Sequence, residues 1–466
     1  MNAPAVRAIF DEQRLASRHQ AAPTLSQRLQ SLDKLRELVQ SHGAAIARAI
    51  AEDYGARAIA ETELLEIVPT LNAIRHARRK LSSWMRPQRR PVELTFQPAR
   101  AWVRFEPLGV IGIISPWNYP LLLALSPLVD ALAAGNRVML KPSDLTPAFS
   151  ALLRDLIAKR FDANEVSVVI GDIETARLFS SLPFDHLLFT GSTAVGKQVM
   201  QAAAANLTPV TLELGGKSPA IVCSDYPLHK AARSIAFGKF LNAGQTCIAP
   251  DYVLIPAAQC EAFAQLIMEQ VKRSYPTVAA NADYSGILLA RQRERLTRAL
   301  DEARAAGATI FSHGEPDCLA AGKFPPTIVI GAPHDGILLR EEIFGPILPV
   351  VPYESLDDAL SFIAERERPL ALYCFTNDGQ SRSRVLDRAL SGGVTLNGTL
   401  LHIAQDALPF GGVGPSGTGA YHGRDGFLRL SHARAVYNVG FVNVFERLGP
   451  PWGRLASLVT KVFVKR

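Results

Sequence analysis

A cysteine placed directly after an expected helix is the first candidate for chemistry in this sequence. Cys247 ends the run Phe240-Leu-Asn-Ala-Gly-Gln-Thr-Cys247, where Gly244 and two polar residues precede it. A thiol in such a loop can act as a nucleophile when its pKa is lowered or when a base lies nearby. Buried structural cysteines are the commoner kind, and Cys223, within an apolar run, has that character. Cys247 is therefore a hypothesis for covalent catalysis.

Two further polar residues stand in apolar surroundings. Glu213 lies in an expected apolar strand before a double glycine, where a carboxylate is either a paired structural group or a general base tuned by burial. Asn118 follows Pro116-Trp117 in an expected loop at a strand end. Its side-chain amide suits an oxyanion donor and equally suits an ordinary turn. These residues alone leave both alternatives open.

Two glycine-rich runs have the spacing of phosphate-binding loops. Gly191-Ser-Thr-Ala-Val-Gly196-Lys197 follows an expected strand and opens a helix, whose free N–H groups and dipole would attract a pyrophosphate. The run resembles a P-loop, but Gln198 replaces the hydroxyl that binds Mg²⁺, and a plain helix-capping turn is the other interpretation. Gly412-Val-Gly-Pro-Ser-Gly417 matches GxGxxG, yet no strand leads directly into it and Pro415 interrupts it, which argues against a dinucleotide fingerprint.

Composition limits the classes of function. The 466 residues are 48% hydrophobic and 20% charged, which is typical of a soluble globular chain and excludes disordered, collagen-like and coiled-coil proteins. The net charge of +7 is small for this length and does not require nucleic acid as a partner. Five cysteines without CxxC spacing, histidines without ligand spacing and the absence of a visible signal peptide predict no disulfide framework, no metal site and a cytoplasmic location.

The order of expected elements favours an α/β fold with parallel sheets. A helix over 24–54 begins with a capping box at Thr24, a second helix is expected over 60–81, and 92–106 alternates like strands. Strands and helices then alternate from 110 to 205, which indicates βαβ units whose ligands bind at the carboxyl ends of the strands. The expected strands are 110–115, 137–141, 166–170 and 186–190, and the expected helices are 121–134, 147–159, 175–181 and 194–205.

Seven segments, in order between residues 106 and 426, carry a resemblance to a known family. The seven segments are Pro116-Trp-Asn-Tyr-Pro120, Lys141-Pro-Ser143, Phe189-Thr-Gly-Ser192, Leu212-Glu-Leu-Gly-Gly-Lys-Ser-Pro219, Gly244-Gln-Thr-Cys247, Glu341-Glu-Ile-Phe-Gly-Pro346 and Pro409-Phe-Gly-Gly-Val-Gly414. Jointly they resemble the aldehyde dehydrogenase superfamily, and the runs at 207–213, 245–252, 367–373 and 419–423 are similar to its class 3 enzymes and to bacterial coniferyl aldehyde dehydrogenases.

The resemblance implies an aldehyde dehydrogenase-like α/β fold with three parts. Residues 1–86 and 106–212 are expected to form a Rossmann-type parallel-sheet cofactor domain, and 213–397 an α/β catalytic domain. Residues 87–105 and 398–466 are expected to form a small β element for oligomerisation, with the C-terminal tail. A homodimer is implied as well, with no nucleic-acid partner.

The resemblance also implies roles in catalysis. Cys247 would attack an aldehyde carbon to give a thiohemiacetal, with the Asn118 amide and the Cys247 backbone N–H holding the oxyanion. Hydride transfer to the nicotinamide would leave a thioester, and Glu213 would activate the water that hydrolyses it to the acid. The implied substrates are bulky aromatic aldehydes such as coniferaldehyde or long-chain aliphatic ones, with fatty aldehyde oxidation as an alternative. Acyl transfer to coenzyme A is less favoured, because Glu213 suits water.

The implied cofactor is NAD, with NADP also open. Lys141 is expected at the adenosine ribose, Glu342 at the nicotinamide ribose and Phe344 beside the nicotinamide. Asp144 stands where the class 3 pattern commonly has glutamate, which is one methylene longer. We therefore expect activity with both cofactors and a preference for NAD⁺. The other residues implied at the cofactor are Trp117, which lines the site near Asn118, and Gly191, Ser192 and Gly196 at the pyrophosphate.

The C-terminal segment allows two interpretations. Its apolar residues repeat at helical spacing and cations lie among them, so it is either a helix packed on its own dimer, which we favour, or a basic amphipathic helix in peripheral contact with a membrane. It is too short to span a bilayer. The residues of the expected helix are Leu455, Leu458, Val459, Val462 and Phe463, with Arg454, Lys461, Lys465 and Arg466 as its cations.

Two other functions are disfavoured. Gln198 argues against a P-loop nucleotide hydrolase, and the presence of all the candidate catalytic residues argues against a non-catalytic relative.

Overall fold

The computed structural model describes residues 2–441, 443, 446 and 448–464. Lys465 and Arg466, two cations of the expected C-terminal helix, lie outside the described residues. The α-helices are Ala3–His19, Leu25–Tyr54, Ile59–Thr62, Val68–Trp84, Pro120–Ala134, Pro147–Ala158, Ile173–Ser180, Thr193–Ala204, Leu228–Phe240, Cys260–Ser274, Ala290–Ala305, Ile337–Arg340, Leu356–Ala364, Gly379–Arg388, Gly423–Arg429 and Arg454–Phe463, with a π-helical turn at Glu63–Ile67 and 3₁₀ turns at Leu94–Phe96, Leu241–Gly244 and Ala257–Gln259.

Within the described part of the chain, the strands form three sheets. The strands are β1 (Gln88–Arg90), β2 (Arg100–Pro107), β3 (Val110–Ile114), β4 (Arg137–Lys141), β5 (Val166–Val168), β6 (His186–Gly191), β7 (Val210–Leu214), β8 (Pro219–Val222), β9 (Tyr252–Pro256), β10 (Thr309–Ser312), β11 (Thr327–Ile330), β12 (Ile347–Tyr353), β13 (Ala371–Phe375), β14 (Gly393–Leu396), β15 (Gly417–Thr418) and β16 (Ser431–Asn438). A six-stranded sheet has the order β15-β7-β6-β3-β4-β5, a seven-stranded sheet has the order β10-β11-β12-β9-β8-β13-β14, and a three-stranded sheet has the order β1-β2-β16.

The two large sheets are parallel except at one edge of each. In the six-stranded sheet only β15 is antiparallel to its neighbour, and in the seven-stranded sheet only β10 is. Strands β3, β7 and β8 are buried along their whole length, as expected for parallel strands covered on both faces. The α/β fold is confirmed, and ligands are expected at the carboxyl ends of these strands. The predicted division into domains stays a prediction, and its boundary at 212/213 falls inside β7.

Most of the expected elements are present. The helix Leu25–Tyr54 begins with the predicted capping box between Thr24 and Gln27, and β4 has its predicted bounds. The prediction of strands over 92–106 is wrong in its first half. Leu94–Phe96 forms a 3₁₀ turn in which Leu94 is 89% exposed. Prolines at 91 and 98 flank this segment, and none of the described strands pairs with it.

The N-terminal helix Ala3–His19 was not expected, although its sequence carries the signal. Asn2 caps it with a side-chain acceptor, and Val6, Phe10 and Gln13 are buried at helical spacing. At the other end of the chain, the helix Arg454–Phe463 is present as predicted and none of its side chains is buried. Among the described residues, no helix combines the length and apolarity needed to span a bilayer.

Candidate active site

A cavity of about 280 Å³ lies where the loops after β3 and β7 face the loop that carries Cys247. Parallel strands place their carboxyl ends at one edge, which is why residues distant in sequence meet there. Lys141, Asp144 and Gly196 are outside its wall. The predicted site residues that line it are Trp117, Asn118, Gly191, Ser192, Glu213, Cys247, Glu342 and Phe344.

The loop that carries Cys247 is built on an unusual backbone. After the helix Leu228–Phe240, Asn242, Ala243 and Gly244 all have positive φ, at 50°, 49° and 75°. A Cβ at Gly244 would lie 2.3 Å from the carbonyl oxygen of Gly345, so only glycine fits there. Such left-handed residues persist where the surrounding structure enforces them. The result is a tight reversal that turns Cys247 into the cavity.

The thiol of Cys247 does not have a lowered pKa. Burial and the nearby charges of Glu342 and Glu213 raise the pKa of Cys247 to about 12. The thiol is therefore protonated at neutral pH, and nucleophilic attack requires a base to take its proton. Of the two routes to activation that the sequence allowed, the structure supports the nearby base.

Glu213 is a buried carboxylate whose oxygens lack hydrogen-bond partners among the described residues. It lies on β7 and is 2% exposed. Burial raises the pKa of Glu213 well above its usual range. Because structural carboxylates in protein interiors are normally paired, this geometry favours the general base over the paired structural group.

The side chain of Asn118 is aimed by the loop of Cys247. Its Nδ2 donates to the carbonyl oxygen of Gln245 at 3.1 Å. The Gln245 side chain in turn donates to the carbonyls of Asn242 and Gly286, both at 2.9 Å. One N–H of the Asn118 amide is used in this way. The amide has a second N–H, and Asn118 lines the cavity, as an oxyanion donor requires.

Glu342 and Phe344 form the other end of the cavity. Burial and the charge of Asp251 raise the pKa of Glu342 to about 8, and its Oε1 has no partner within the described chain. A Cβ at Gly215 would lie 2.0 Å from Glu342 Oε2, so the double glycine allows the carboxylate to approach. Phe344 has φ of 46° and its ring meets that of Trp117 edge-on at 5.6 Å. An unpartnered acceptor beside aromatic rings fits the ribose and nicotinamide of a dinucleotide.

The remaining predicted cofactor residues lie along the same edge of the six-stranded sheet. Lys141 ends β4, and its ammonium donates to the carbonyls of Pro142 and Gly171 at 3.1 and 2.9 Å, which leaves one N–H. Burial lowers the pKa of Lys141, and the charge of the nearby Asp144 opposes this. Ser192 caps the helix Thr193–Ala204.

Gly196 and the GxGxxG run both serve close packing near Glu213. A Cβ at Gly196 would lie 2.6 Å from a methyl of Leu214, so glycine lets its helix pack on β7. The GxGxxG run ends in β15, whose Gly417 pairs with Glu213, and a Cβ at Gly417 would lie 2.3 Å from the carbonyl oxygen of Leu212. The run opens no helix, which agrees with the expectation that it is not a dinucleotide fingerprint.

Several residues of the wall were not predicted from the sequence. Arg295 lines the cavity and donates to the carbonyl oxygen of Glu342 at 3.0 Å, but it lies in an ordinary amphipathic helix and nothing in the sequence distinguishes it. Leu123, Phe410 and Tyr421 supply apolar and aromatic wall. Phe410 and Tyr421 fall in segments already noted for their resemblance, which was the signal that could have identified them.

Comparison with known proteins agrees with this geometry. A model of the aldehyde dehydrogenase family matches residues 1–436. The chain is 51% identical to a probable coniferyl aldehyde dehydrogenase of Pseudomonas aeruginosa, over 99% of this chain and 96% of that protein. It is 42% identical to aldehyde dehydrogenase family 3 member A2 of Rattus norvegicus, over 87% and 83%. A solved structure of Staphylococcus aureus AldH in a substrate-bound state superposes with a TM-score of 0.92 at 36% identity, covering 99% of both chains.

These matches extend through the run Gly191-Ser-Thr-Ala-Val-Gly196-Lys197, so the alternative of a P-loop nucleotide hydrolase is wrong. The family match spans almost the whole described chain, and the fold agrees with a solved member from end to end. The chain therefore belongs to the aldehyde dehydrogenase family, within its class 3 and coniferyl aldehyde dehydrogenase branch, and is an NAD(P)-dependent enzyme that oxidises aldehydes to acids.

Proposed function

We propose that this enzyme oxidises bulky aromatic aldehydes of the coniferaldehyde kind to their carboxylic acids. The observation that carries the proposal is one wall that combines Cys247 with the side chains of Leu123, Phe410 and Tyr421. A flat aromatic aldehyde fits between apolar and aromatic side chains, which stack on its ring. The name of the Pseudomonas aeruginosa relative supports the same class of substrate.

In this proposal each reacting residue of the cavity has its own role in the oxidation. Glu213 takes the thiol proton of Cys247 and passes it to solvent. Cys247 Sγ bonds to the aldehyde carbon, and the amide of Asn118 and the backbone N–H of Cys247 donate to the oxygen as it becomes negative. The bound nicotinamide supplies the chemistry of hydride acceptance. Glu213 then takes a proton from the water that attacks the thioester, which releases the acid and restores the thiol. The raised pKa of Glu213 suits a general base that works near neutral pH.

We further propose that NAD⁺ is the favoured cofactor and that NADP⁺ is accepted. Lys141 and Asp144 would hold the adenosine ribose, because both lie at the carboxyl end of β4 and their charges interact. Glu342 would accept from the nicotinamide ribose, with Phe344 beside the ring. Gly191 and Ser192 would bind the pyrophosphate at the start of the helix Thr193–Ala204. Gly196 would place that helix at the pyrophosphate by letting it pack on β7. Trp117 would line the site near Asn118.

A kcat/KM panel tests the substrate. The panel compares coniferaldehyde, benzaldehyde and aliphatic aldehydes of increasing length, each with NAD⁺ and NADP⁺. Coniferaldehyde is expected to give the highest value, with benzaldehyde above the short aliphatic aldehydes. A maximum among the long aliphatic aldehydes would refute the aromatic class while leaving aldehyde oxidation intact.

We also propose a cytoplasmic homodimer. The five cysteines are free, which suits a reducing compartment. The three-stranded sheet leaves β16 without a buried residue, and the helix Arg454–Phe463 has none either. A small sheet and an amphipathic helix without cover are expected to pack on a second subunit. Light scattering tests the dimer.

The peripheral membrane alternative for the C-terminal segment has a separate test. Cosedimentation with anionic lipid vesicles, with and without residues 452–466, compares the two interpretations. We expect equal, low binding by both proteins, because the apolar face of the helix is expected to be covered by the partner subunit. Binding that is lost with the segment would favour the membrane.

A further inference from the structure

The backbone carbonyl of Asn118 receives three side-chain hydrogen bonds. Tyr54 Oη donates to it at 2.9 Å, Arg57 Nη1 at 2.8 Å and Asn242 Nδ2 at 3.0 Å. A carbonyl oxygen has two lone pairs, so two donors would satisfy it. The third donor restricts its position further. None of these donors lines the cavity, and the chemistry described above does not use them.

Arg57 connects the carbonyl of Asn118 with the chain that follows this residue. Its Nη2 pairs with Glu66 Oε1 at 3.0 Å, and both side chains are fully buried. Glu66 Oε2 accepts from the backbone N–H groups of Leu121 and Leu122 at 2.8 and 3.2 Å. One ion pair therefore ties the carbonyl of Asn118 to the first turn of the helix Pro120–Ala134 that follows it.

The same network holds the loop of Cys247. Glu61 Oε1 accepts from the backbone N–H of Asn242 at 2.7 Å, and Asn242 Nδ2 also donates to the Gln245 carbonyl at 3.2 Å. That carbonyl is the acceptor for the Asn118 amide. The oxyanion donor and the nucleophile loop thus share their anchors, so a shift of one would displace the other.

Burial of the Arg57–Glu66 ion pair costs free energy of desolvation, which a purely structural role could avoid with apolar side chains. The guanidinium of Arg57 lies over the rings of Tyr54 and Tyr119, at 4.8 and 5.1 Å from their centroids. A buried ion pair is often no more stabilising than apolar residues of the same volume, and its best-attested benefit is a defined geometry. Burial also raises the pKa of Tyr54, so its hydroxyl keeps the proton that it donates.

We propose that Arg57, Tyr54 and Asn242 are positioning residues that fix the carbonyl of Asn118 and so aim its side-chain amide at the substrate oxygen. The proposal rests on the function proposed above and deepens it. Oxyanion stabilisation depends on donors held at hydrogen-bond distance before the reaction begins, and a displacement of about 1 Å at such a group can cost on the order of 10²-fold in rate.

A double-mutant cycle tests the proposal. Tyr54→Phe and Arg57→Lys are each made in the native enzyme and in the Asn118→Ala variant, and kcat and both KM values are measured. In the native background Tyr54→Phe is expected to lower kcat about 3–10-fold and Arg57→Lys about 10-fold or more, with the KM for NAD⁺ within about twofold. Both losses should shrink to less than about twofold when Asn118 is alanine, because coupled residues are not additive.

Tyr353→Phe is the matched control. Tyr353 is a buried tyrosine whose hydroxyl donates to the Val222 carbonyl at 2.8 Å, away from the cavity. It should leave kcat unchanged in both backgrounds. If Arg57→Lys does not fold, Tyr54→Phe decides the question, because it removes one hydroxyl and keeps the ring.

Two outcomes would overturn the proposal while the proposed function stands. One is an undiminished kcat in the native background, and the other is the same fold loss with and without the Asn118 amide, which would indicate a general structural role. Failure of the proposed function appears separately, as a native enzyme that oxidises no aldehyde of the panel or a Cys247→Ala variant that still does. In that case the positioning role falls with it.

Discussion

The two sides of the cavity differ in whether their buried polar groups have hydrogen-bond partners. On the side of Asn118, the carbonyl and the amide of that residue and the side chain of Gln245 all have partners. On the other side, both oxygens of Glu213 and Oε1 of Glu342 have none among the residues that the structure describes. One side is fixed by its own contacts, whereas the other retains groups that can still bind or react.

This difference separates positioning from chemistry. An unpartnered polar group in a protein interior costs about 1–3 kcal/mol, and such a cost persists mainly at functional sites. The paired side is expected to contribute stability and geometry. The unpartnered side is expected to contribute reactivity at the expense of stability. Substitutions on the two sides should therefore have different signatures.

Replacement of the nucleophile should have the largest effect. Cys247→Ala removes the sulfur that both halves of the reaction need, and kcat is expected to fall by about 10⁴-fold or more. The affinity for the cofactor should change little, as measured by fluorescence titration with the reduced cofactor. Cys260→Ala is the matched control, because Cys260 is a buried cysteine in the helix Cys260–Ser274 and does not line the cavity. Residual turnover near the native level would remove Cys247 from the mechanism.

Glu213→Gln should separate reactivity from stability. Loss of a general base is expected to lower steady-state kcat by about 10²–10⁴-fold. One equivalent of reduced cofactor still forms in the first turnover, but more slowly than in the native enzyme, because the base that takes the thiol proton of Cys247 is lost. The midpoint of thermal unfolding should stay level or rise, because the substitution removes a buried carboxyl group without partners. A large loss of stability would show that Glu213 is a structural residue.

The pH dependence sharpens this test. Since burial raises the pKa of Glu213, its basic, charged form appears at higher pH than that of an ordinary carboxyl group, and its fraction grows as the pH rises. Steady-state turnover of the native enzyme should therefore increase from mildly acidic to mildly alkaline pH. In the Gln variant the hydrolysis step, measured after the burst, should lose this increase. A flat profile in the native enzyme would contradict the assignment of the base.

Glu66→Gln tests the paired side. The substitution keeps the volume but removes the charge that faces Arg57 and the backbone N–H groups of Leu121 and Leu122. Hydrogen bonds to charged groups contribute about 1.5–3 kcal/mol, and a loss of this size in the free energy of unfolding is expected by chemical denaturation. The contrast between the two glutamates fails if Glu66→Gln is as stable as the native enzyme.

The sequence contained more of the reacting groups than of their supports. Cys247, Glu213 and Asn118 could be found because each lies in a short motif at the end of an apolar strand or an expected helix. The network of Arg57 and Glu66 could not, since its partners are more than fifty residues away and only tertiary packing brings them together. The 3₁₀ turn at Leu94–Phe96 was missed for a related reason: alternating apolar residues predict a strand only where a neighbouring strand is available.

The smallest effect is expected at Asp144. Asp144→Glu adds one methylene and extends the carboxylate toward the place where the proposed cofactor would carry a 2′-phosphate, so like-charge repulsion should lower kcat/KM for NADP⁺ by about 3–10-fold and leave NAD⁺ almost unchanged. Asp155→Glu, on an exposed surface beside Arg154, is the matched control. Native enzyme without NADP⁺ turnover even at millimolar concentration would contradict the expected dual use of cofactors. An equal loss with both cofactors would place Asp144 at the shared part of the ribose, and the preference for NAD⁺ would then have to arise from other residues near Lys141.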